Sequence, residues 1–212
     1  MRCPDCGEEF FVAFSCRQRG CCPSCDQKRA LLLGLRLSNG LLAPVPHRQW
    51  VFTIPKRLRV YFKRDHRLLG RLSRISAGVV FKAFQAETGD TGLFPGMVAA
   101  VQTFGDLINW HPHVHAIVTE GVFTDSGHTS TGLSAGFIRI PQVDMAGCLN
   151  LWREEVFDLL LSEEKIGQEV VDNMRSWKHS GFSIDTSVRL EAGDSAGVRR
   201  LAEYPSTSSG QV

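Results

Sequence analysis

Apolar and polar positions switch between two periods along this chain, and the switches divide it into elements. After Pro44 and Pro46, the run His47-Arg48-Gln49-Trp50-Val51-Phe52-Thr53-Ile54 is β-rich and closed by Pro55, which predicts a strand. From 56 to 87 the spacing becomes helical, with Leu58, Phe62, Leu68, Leu69, Leu72, Ile75, Val79 and Val80 as its apolar positions. Gly70 and Gly78 are the weak points of that helix. A turn at 88–92 leads to the buried-looking strand 97–104, and Gly105-Asp106 begin a short turn into 110–118. Those two strands make an antiparallel hairpin that brings Gln102 near a group of histidines. The sequence leaves its register open. A Gly/Ser/Thr-rich loop at 124–136, a short strand at 137–140 and a helix capped by Asp144 and running to about Trp177 follow. A strand at 182–190 and a helix opened by Asp194 or Ser195 complete the pattern. Pro205 ends that helix, and 205–212 has no apolar periodicity, so a disordered tail is expected there. Antiparallel hairpins with helices segregated to one face predict an α+β sandwich with the histidine strand at its centre.

That strand reads Trp110-His111-Pro112-His113-Val114-His115-Ala116-Ile117-Val118. Period two puts His111, His113 and His115 on one face and Val114, Ala116 and Val118 on the other. Two imidazoles at i and i+2 can hold one divalent cation, since neutral imidazole is a common metal ligand. Solvated histidines on an edge strand are the alternative reading. Gln102 is a candidate third ligand, and His111 is its rival.

With 212 residues the chain holds one good core, or one core and a small satellite module. Hydrophobic residues at 43% and charged residues at 22% are ordinary for a globular protein, and the longest leucine-rich stretch is broken by Arg36 and Asn39. No membrane span and no signal-peptide order are read, so a cytoplasmic location is expected. The net charge of +2 conceals an asymmetry: residues 1–80 hold 15 of the 24 Lys and Arg but only 5 of the 22 Asp and Glu. A basic front half predicts contact with a polyanion. Lys56, Arg57, Arg59, Lys63 and Arg64 open the long helix and could lie along a phosphate backbone, or form a solvated outer face.

Six of seven cysteines fall between Cys3 and Cys25. Cys3-Pro4-Asp5-Cys6 and Cys22-Pro23-Ser24-Cys25 give C-x2-C-x15-C-x2-C, a spacing that aims four thiolates at one tetrahedral zinc. Cys16 and Cys21 are left over, and Cys16 is a possible additional ligand. About thirty residues bury too little surface to fold alone, so the metal supplies most of the folding energy. Arg17, Arg19, Lys28 and Arg29 surround the knuckles and suit nucleic acid. Cys148 stands alone in a helical stretch, as a small buried hydrophobe does. The expected division is a zinc-binding region at 1–42, a catalytic domain at 46–204 and a tail at 205–212.

Several segments together resemble the rolling-circle insertion-sequence transposases of the HUH endonuclease superfamily, which carry a zinc-binding region before the catalytic domain. They are Val12-Ala13-Phe14-Ser15-Cys16 through Cys22-Pro23-Ser24-Cys25, then Val101-Gln102-Thr103-Phe104-Gly105, Pro112-His113-Val114-His115, Gly181-Phe182-Ser183-Ile184-Asp185 and Arg200-Leu201-Ala202-Glu203-Tyr204. The resemblance implies a small zinc ribbon followed by an antiparallel-sheet, ferredoxin- or RRM-like nuclease domain. It places the family's histidine pair, with Mg²⁺ or Mn²⁺, on His113 and His115, and the nucleophilic tyrosine on Tyr204. It implies a DNA partner, single-stranded or hairpin, and work at the bacterial nucleoid. The first knuckle begins at residue 3, and Pro205 follows the tyrosine directly, so the family pattern is expected to be shortened at both ends. A catalytically inactive zinc-ribbon DNA-binding remnant is one alternative. A zinc hydrolase using all three histidines is another, and it would need a carboxylate base that Glu120, on the opposite strand face, is poorly placed to supply.

Overall fold

In a computed structural model of the chain, residues 23–104, 109–124 and 136–207 are described. The fold is built on strand β1, His47–Thr53, which pairs antiparallel with β3, Trp110–Thr119, on one side. On its other side lie two short strands end to end, β6 (Ser183–Asp185) against residues 51–53 and β7 (Arg189–Leu190) against 47–48. The edge strand β2, Met97–Phe104, pairs with β3, giving the order β2-β3-β1-β6. The strand read at 182–190 is thus two pieces, although the Val188 carbonyl still accepts from the Gln49 amide at 2.9 Å. A separate ribbon joins β4, Gly121–Phe123, to β5, Phe137–Arg139.

Alternation along β1 and β3 decides what each face of the sheet does. Trp50 and Phe52 on β1 and Val114, Ala116 and Val118 on β3 are all buried. They pack on two long helices, α3 (Arg67–Thr88) through Leu72, Val79 and Val80, and α4 (Met145–Ser162) through Trp152, Val156 and Leu160. Trp152 locks the layers together: its ring lies 5.0 Å from Phe52, and its indole N–H donates to the Thr53 carbonyl at 2.9 Å. Cys148 is buried in this layer, as read from the sequence.

The opposite face is not left wholly open. At one end, Ile117 and Val98 pack with Leu37, Leu190, Val198 and Leu201. Val198 and Leu201 belong to α6, Ser195–Thr207, which lies against α1, Pro23–Arg36. Leu37 opens a π-type turn, Leu37–Leu41, that follows α1 and closes at Gly40 with φ 100°. Helices therefore pack on one face and on part of the other, where segregation to a single face was expected.

Three helix boundaries differ from the periodicity. The basic stretch is a 3-10 turn, Lys56–Leu58, and a short helix α2, Arg59–Arg64, and the chain breaks at Asp65 rather than at a glycine. The Asp65 carboxylate accepts from the Arg67 amide at 3.2 Å and from the Arg67 guanidinium at 3.0 and 2.9 Å. An aspartate that satisfies a nearby amide competes with helix propagation, whereas Gly70 and Gly78 sit in open space and are tolerated. The helix from Asp144, whose side chain caps it through the Ala146 amide at 3.0 Å, stops at Ser162. It restarts as α5, Gln168–Arg175, after Glu164 adopts φ 53°. Asp194, rather than Ser195, caps α6 by accepting from the Gly197 amide at 2.8 Å. That helix runs through Pro205 to Thr207, and 208–212 lie outside the described residues.

Glu120, immediately after β3 and only 3% exposed, ties four elements together. It accepts from Arg48 of β1 at 2.7 Å and from Arg189 of β7 at 2.8 Å, with Arg139 of β5 at 3.5 Å. Burial alone would raise its pKa, but the hydrogen bonds and charges of Arg48 and Arg189 outweigh burial and hold it below the usual carboxylate value. A depressed folded-state pKa stabilises the fold above the unfolded pKa, and that contribution disappears as pH falls through the folded value. Glu120→Gln should therefore cost about 3 kcal/mol in urea unfolding at neutral pH. The gap to wild type should shrink once the pH drops below about 4. An unchanged gap in acid would contradict the ion-pair assignment.

Candidate active site

β3 presents its histidines on the face that α6 covers only in part. The ring centroids of His111 and His113 are 5.1 Å apart, and those of His113 and His115 are 4.7 Å apart. Antiparallel pairing keeps facing residues on the same side, so the register decides their neighbours. His113 faces Gln102 of β2 and Thr53 of β1, while His115 faces Ala100 and Val51. Gln102 thus shares the histidine face, as the hairpin reading allowed. A bulge between Gln102 and Phe104 then shifts the register at the end of the strand.

His113 is 8% exposed, and its Nδ1 lies 2.6 Å from the carbonyl oxygen of His111. A carbonyl only accepts, so Nδ1 donates there and Nε2 is the ring atom turned toward β2. That Nε2 is 3.1 Å from Gln102 Oε1. Two neighbouring ligands of an octahedral cation with bonds of about 2.1 Å are separated by about 3.0 Å, so this pair has the spacing of adjacent ligands. Beyond it, the Thr53 and Ser183 hydroxyls share a hydrogen bond of 2.6 Å at the same end of the sheet.

His115 Nδ1 lies 3.0 Å from the side-chain amide of Gln49. Its Nε2 is buried with no hydrogen-bond partner among the described residues. An orphaned buried polar atom costs roughly 1–3 kcal/mol, which a bound ligand would recover. Burial, with a smaller contribution from His113, pulls the His115 pKa down to about 4, so the ring is neutral at physiological pH and able to ligate. With the Gln49 amide oxygen turned toward Nδ1–H, Nε2 would be left as the ligating atom, the second-sphere arrangement that orients metal-bound imidazoles.

Sequence reasoning missed Gln49. It stands on the same alternating set of β1 as Val51 and Thr53, but only the β1–β3 register brings it to His115. Glu120 is engaged by its arginines, away from the histidines, and no group of three or more His, Cys, Asp or Glu among the described residues could hold a metal. The three-histidine zinc hydrolase therefore finds no support.

Of the remaining candidates, Cys3, Cys6, Cys16, Cys22, Arg17 and Arg19 lie outside the described residues. Cys25 and Arg29 fall in α1 and Tyr204 in α6, their side chains also outside the described residues, while Lys28 is exposed on α1. Tyr204 follows Leu201 by one helical turn, and Leu201 packs on the same Leu37–Leu190–Val198 cluster as Ile117 and Val98. Lys56, Arg57, Lys63 and Arg64 are exposed, whereas Arg59 is half-buried, its guanidinium 3.4 Å from the Ile54 carbonyl.

Comparison with known proteins gives matches at both ends of the chain. Residues 1–54 match the family model described as "Transposase zinc-binding domain", and residues 96–208 match the one described as "Putative transposase". The second match takes in β2, β3, Gln102, the histidines and α6, more than half of the chain. This chain belongs to that transposase family, of the rolling-circle insertion-sequence type. It is 34% identical over 122 residues to the transposase for insertion sequence element IS801 of Pseudomonas savastanoi pv. phaseolicola, 58% of this chain and 28% of that protein. It is 29% identical over 136 residues to "Putative transposase y4qJ" of Sinorhizobium fredii (strain NBRC 101917 / NGR234), 64% of this chain and 33% of that protein. The match therefore spans about a third or less of the length of these curated relatives. No solved structure matches.

Proposed function

We propose that the chain is the nuclease part of a DNA transposase, in which Tyr204 attacks a single-stranded DNA phosphate beside a divalent cation held by His113 and His115. The observation that carries this reading is the donor set on one sheet face: His113 Nε2 and Gln102 Oε1 at 3.1 Å, with the orphaned Nε2 of His115 on the same face. Mg²⁺ or Mn²⁺ bound there would withdraw charge from the non-bridging phosphate oxygens and stabilise the transition state. Gln49 would orient His115, and the His111 carbonyl would orient His113.

The phenol oxygen of Tyr204 forms a bond to phosphorus as the bond from phosphorus to the 3′ oxygen breaks. The phenolic proton leaves, and a proton is delivered to the departing 3′ oxygen, directly or through water. The products are a 5′-phosphotyrosine and a free 3′-hydroxyl. The covalent link conserves the phosphodiester energy, so the same step in reverse rejoins strands without a nucleotide cofactor. Residues 46–204 would form this catalytic part. Residues 1–42, with Cys3, Cys6, Cys22 and Cys25 on a structural zinc and Cys16 as a possible further ligand, would bind DNA beside it. Arg17, Arg19, Lys28, Arg29, Lys56, Arg57, Arg59, Lys63 and Arg64 are the proposed phosphate contacts. A DNA substrate would place this work in the cytoplasm, at the nucleoid.

Two measurements test the reading. Titration of Mn²⁺ followed by electron paramagnetic resonance should show binding that His113→Ala and His115→Ala each abolish. Gln49→Leu should weaken that binding about 10-fold. Equal affinity in wild type and His115→Ala would remove the cation from this face. Incubation of the full chain with Mn²⁺ and an end-labelled single-stranded hairpin from an insertion-sequence terminus should give a covalent adduct on a denaturing gel, absent with Tyr204→Phe. No adduct from wild type would favour the DNA-binding remnant, and nicking that survives Tyr204→Phe would remove the tyrosine from the mechanism.

A further inference from the structure

The end of the sheet nearest His113 carries an aromatic group that the core does not use. Phe104 closes β2 and Trp110 opens β3, and after the bulge the two face each other across the hairpin. Their rings meet edge to face at 5.9 Å and 89°. Trp110 in turn stacks on His66 at 5.6 Å and 16°, and its indole N–H donates to the Arg59 carbonyl at 3.0 Å, which fixes the ring. Neither Phe104 nor Trp110 is among the residues that build the hydrophobic core, and Phe104 is 49% exposed on an edge strand. A large apolar ring in that position is an aggregation liability unless something binds it.

The surroundings specify the chemistry of the occupant. α2 lies against β3 and carries Lys63 and Arg64, both exposed and neither in an ion pair among the described residues. Asp65 does not offset them, because its carboxylate is engaged by Arg67 and Lys165. Flat rings at the end of a hairpin, with uncommitted cations on the helix packed against it, suit unpaired bases on a phosphate backbone, since every base has a face to stack and a duplex hides those faces. Phe104 follows Gln102 by two residues, on the same alternating side of β2 and on the order of 7 Å along the strand, a distance that a nucleotide or two spans.

We infer that Phe104 and the Trp110–His66 stack form a base-stacking site for unpaired nucleotides adjoining the histidine face, with Lys63 and Arg64 on the accompanying phosphates. This rests on the proposed DNA substrate and adds to it a defined place where single strands are told from duplex. The site takes any base, because stacking on a ring reads no hydrogen-bond pattern.

The test uses the full chain without added Mn²⁺ and fluorescence anisotropy with a labelled single-stranded oligonucleotide and its duplex at one fixed salt concentration. Phe104→Ala should weaken single-strand binding about 10-fold and leave duplex binding unchanged. Trp110→Phe, which keeps a ring against His66, should lose less. Replacing one base of the oligonucleotide at a time by an abasic unit should locate a position that costs wild type affinity and costs Phe104→Ala nothing. Lys63→Ala should weaken single strand and duplex alike and lower the salt dependence. Equal single-strand affinity in wild type and Phe104→Ala, or equal losses on both substrates in a Phe104→Ala protein that melts like wild type, would overturn the stacking site. If wild type still forms the Tyr204 adduct in that case, the nuclease reading stands and the stacking site alone falls. Wild type that binds no single strand would overturn both.

Discussion

The antiparallel register between β1 and β3 is the constraint on which the rest of the structure depends. It pairs Thr53 with His113 and Val51 with His115 on one face, and with the same step it pairs Phe52 with Val114 and Trp50 with Ala116 on the other. A slip of one residue would turn the imidazoles into the helix layer and the tryptophan out of it. Burial of Trp50, Phe52, Val114, Ala116 and Val118 therefore fixes the geometry of a polar site that lies on the far side of the sheet. The energy of packing and the precision of the site come from one set of backbone hydrogen bonds.

Much of this was legible in the chain itself because strand side chains alternate strictly. The histidine face, the hairpin, the Asp144 cap and the buried Cys148 all follow from spacing and residue type. What could not be read was anything set by pairing between distant strands. Gln49 is unremarkable until β1 is laid beside β3, and the Phe104–Trp110 contact depends on a bulge that no local pattern marks. Helix ends failed for a different reason. The apolar stripe continues past Asp65 and past Ser162, so periodicity sees one helix where a carboxylate that binds its own backbone, or a left-handed residue, ends one and starts another. Pro205 was expected to end α6, but the helix carries it near its terminus, where one missing N–H removes a single bond.

The family assignment and the site describe the molecule at different scales. Family membership rests on residues 1–54 and 96–208, and the intervening α2 and α3 enter through what they touch. α3 supplies the floor under the histidine strand, while α2 accepts the Trp110 N–H and carries exposed cations. Polar side chains placed on a rigid, close-packed sheet hold their positions better than the same groups on loops. That favours building a paired-imidazole site on a central strand.

The seam between α1 and α6 has a consequence for how the two ends of the chain answer to one another. α1 begins within the segment that matches a zinc-binding domain, and α6 is the helix that contains Tyr204. Leu37, just beyond α1, shares an apolar cluster with Val198 and Leu201 of α6. A shift of α1 would therefore be felt by α6, more than a hundred and fifty residues away, through the seam between the two helices. α1 and α6 are remote along the polypeptide but packed side by side.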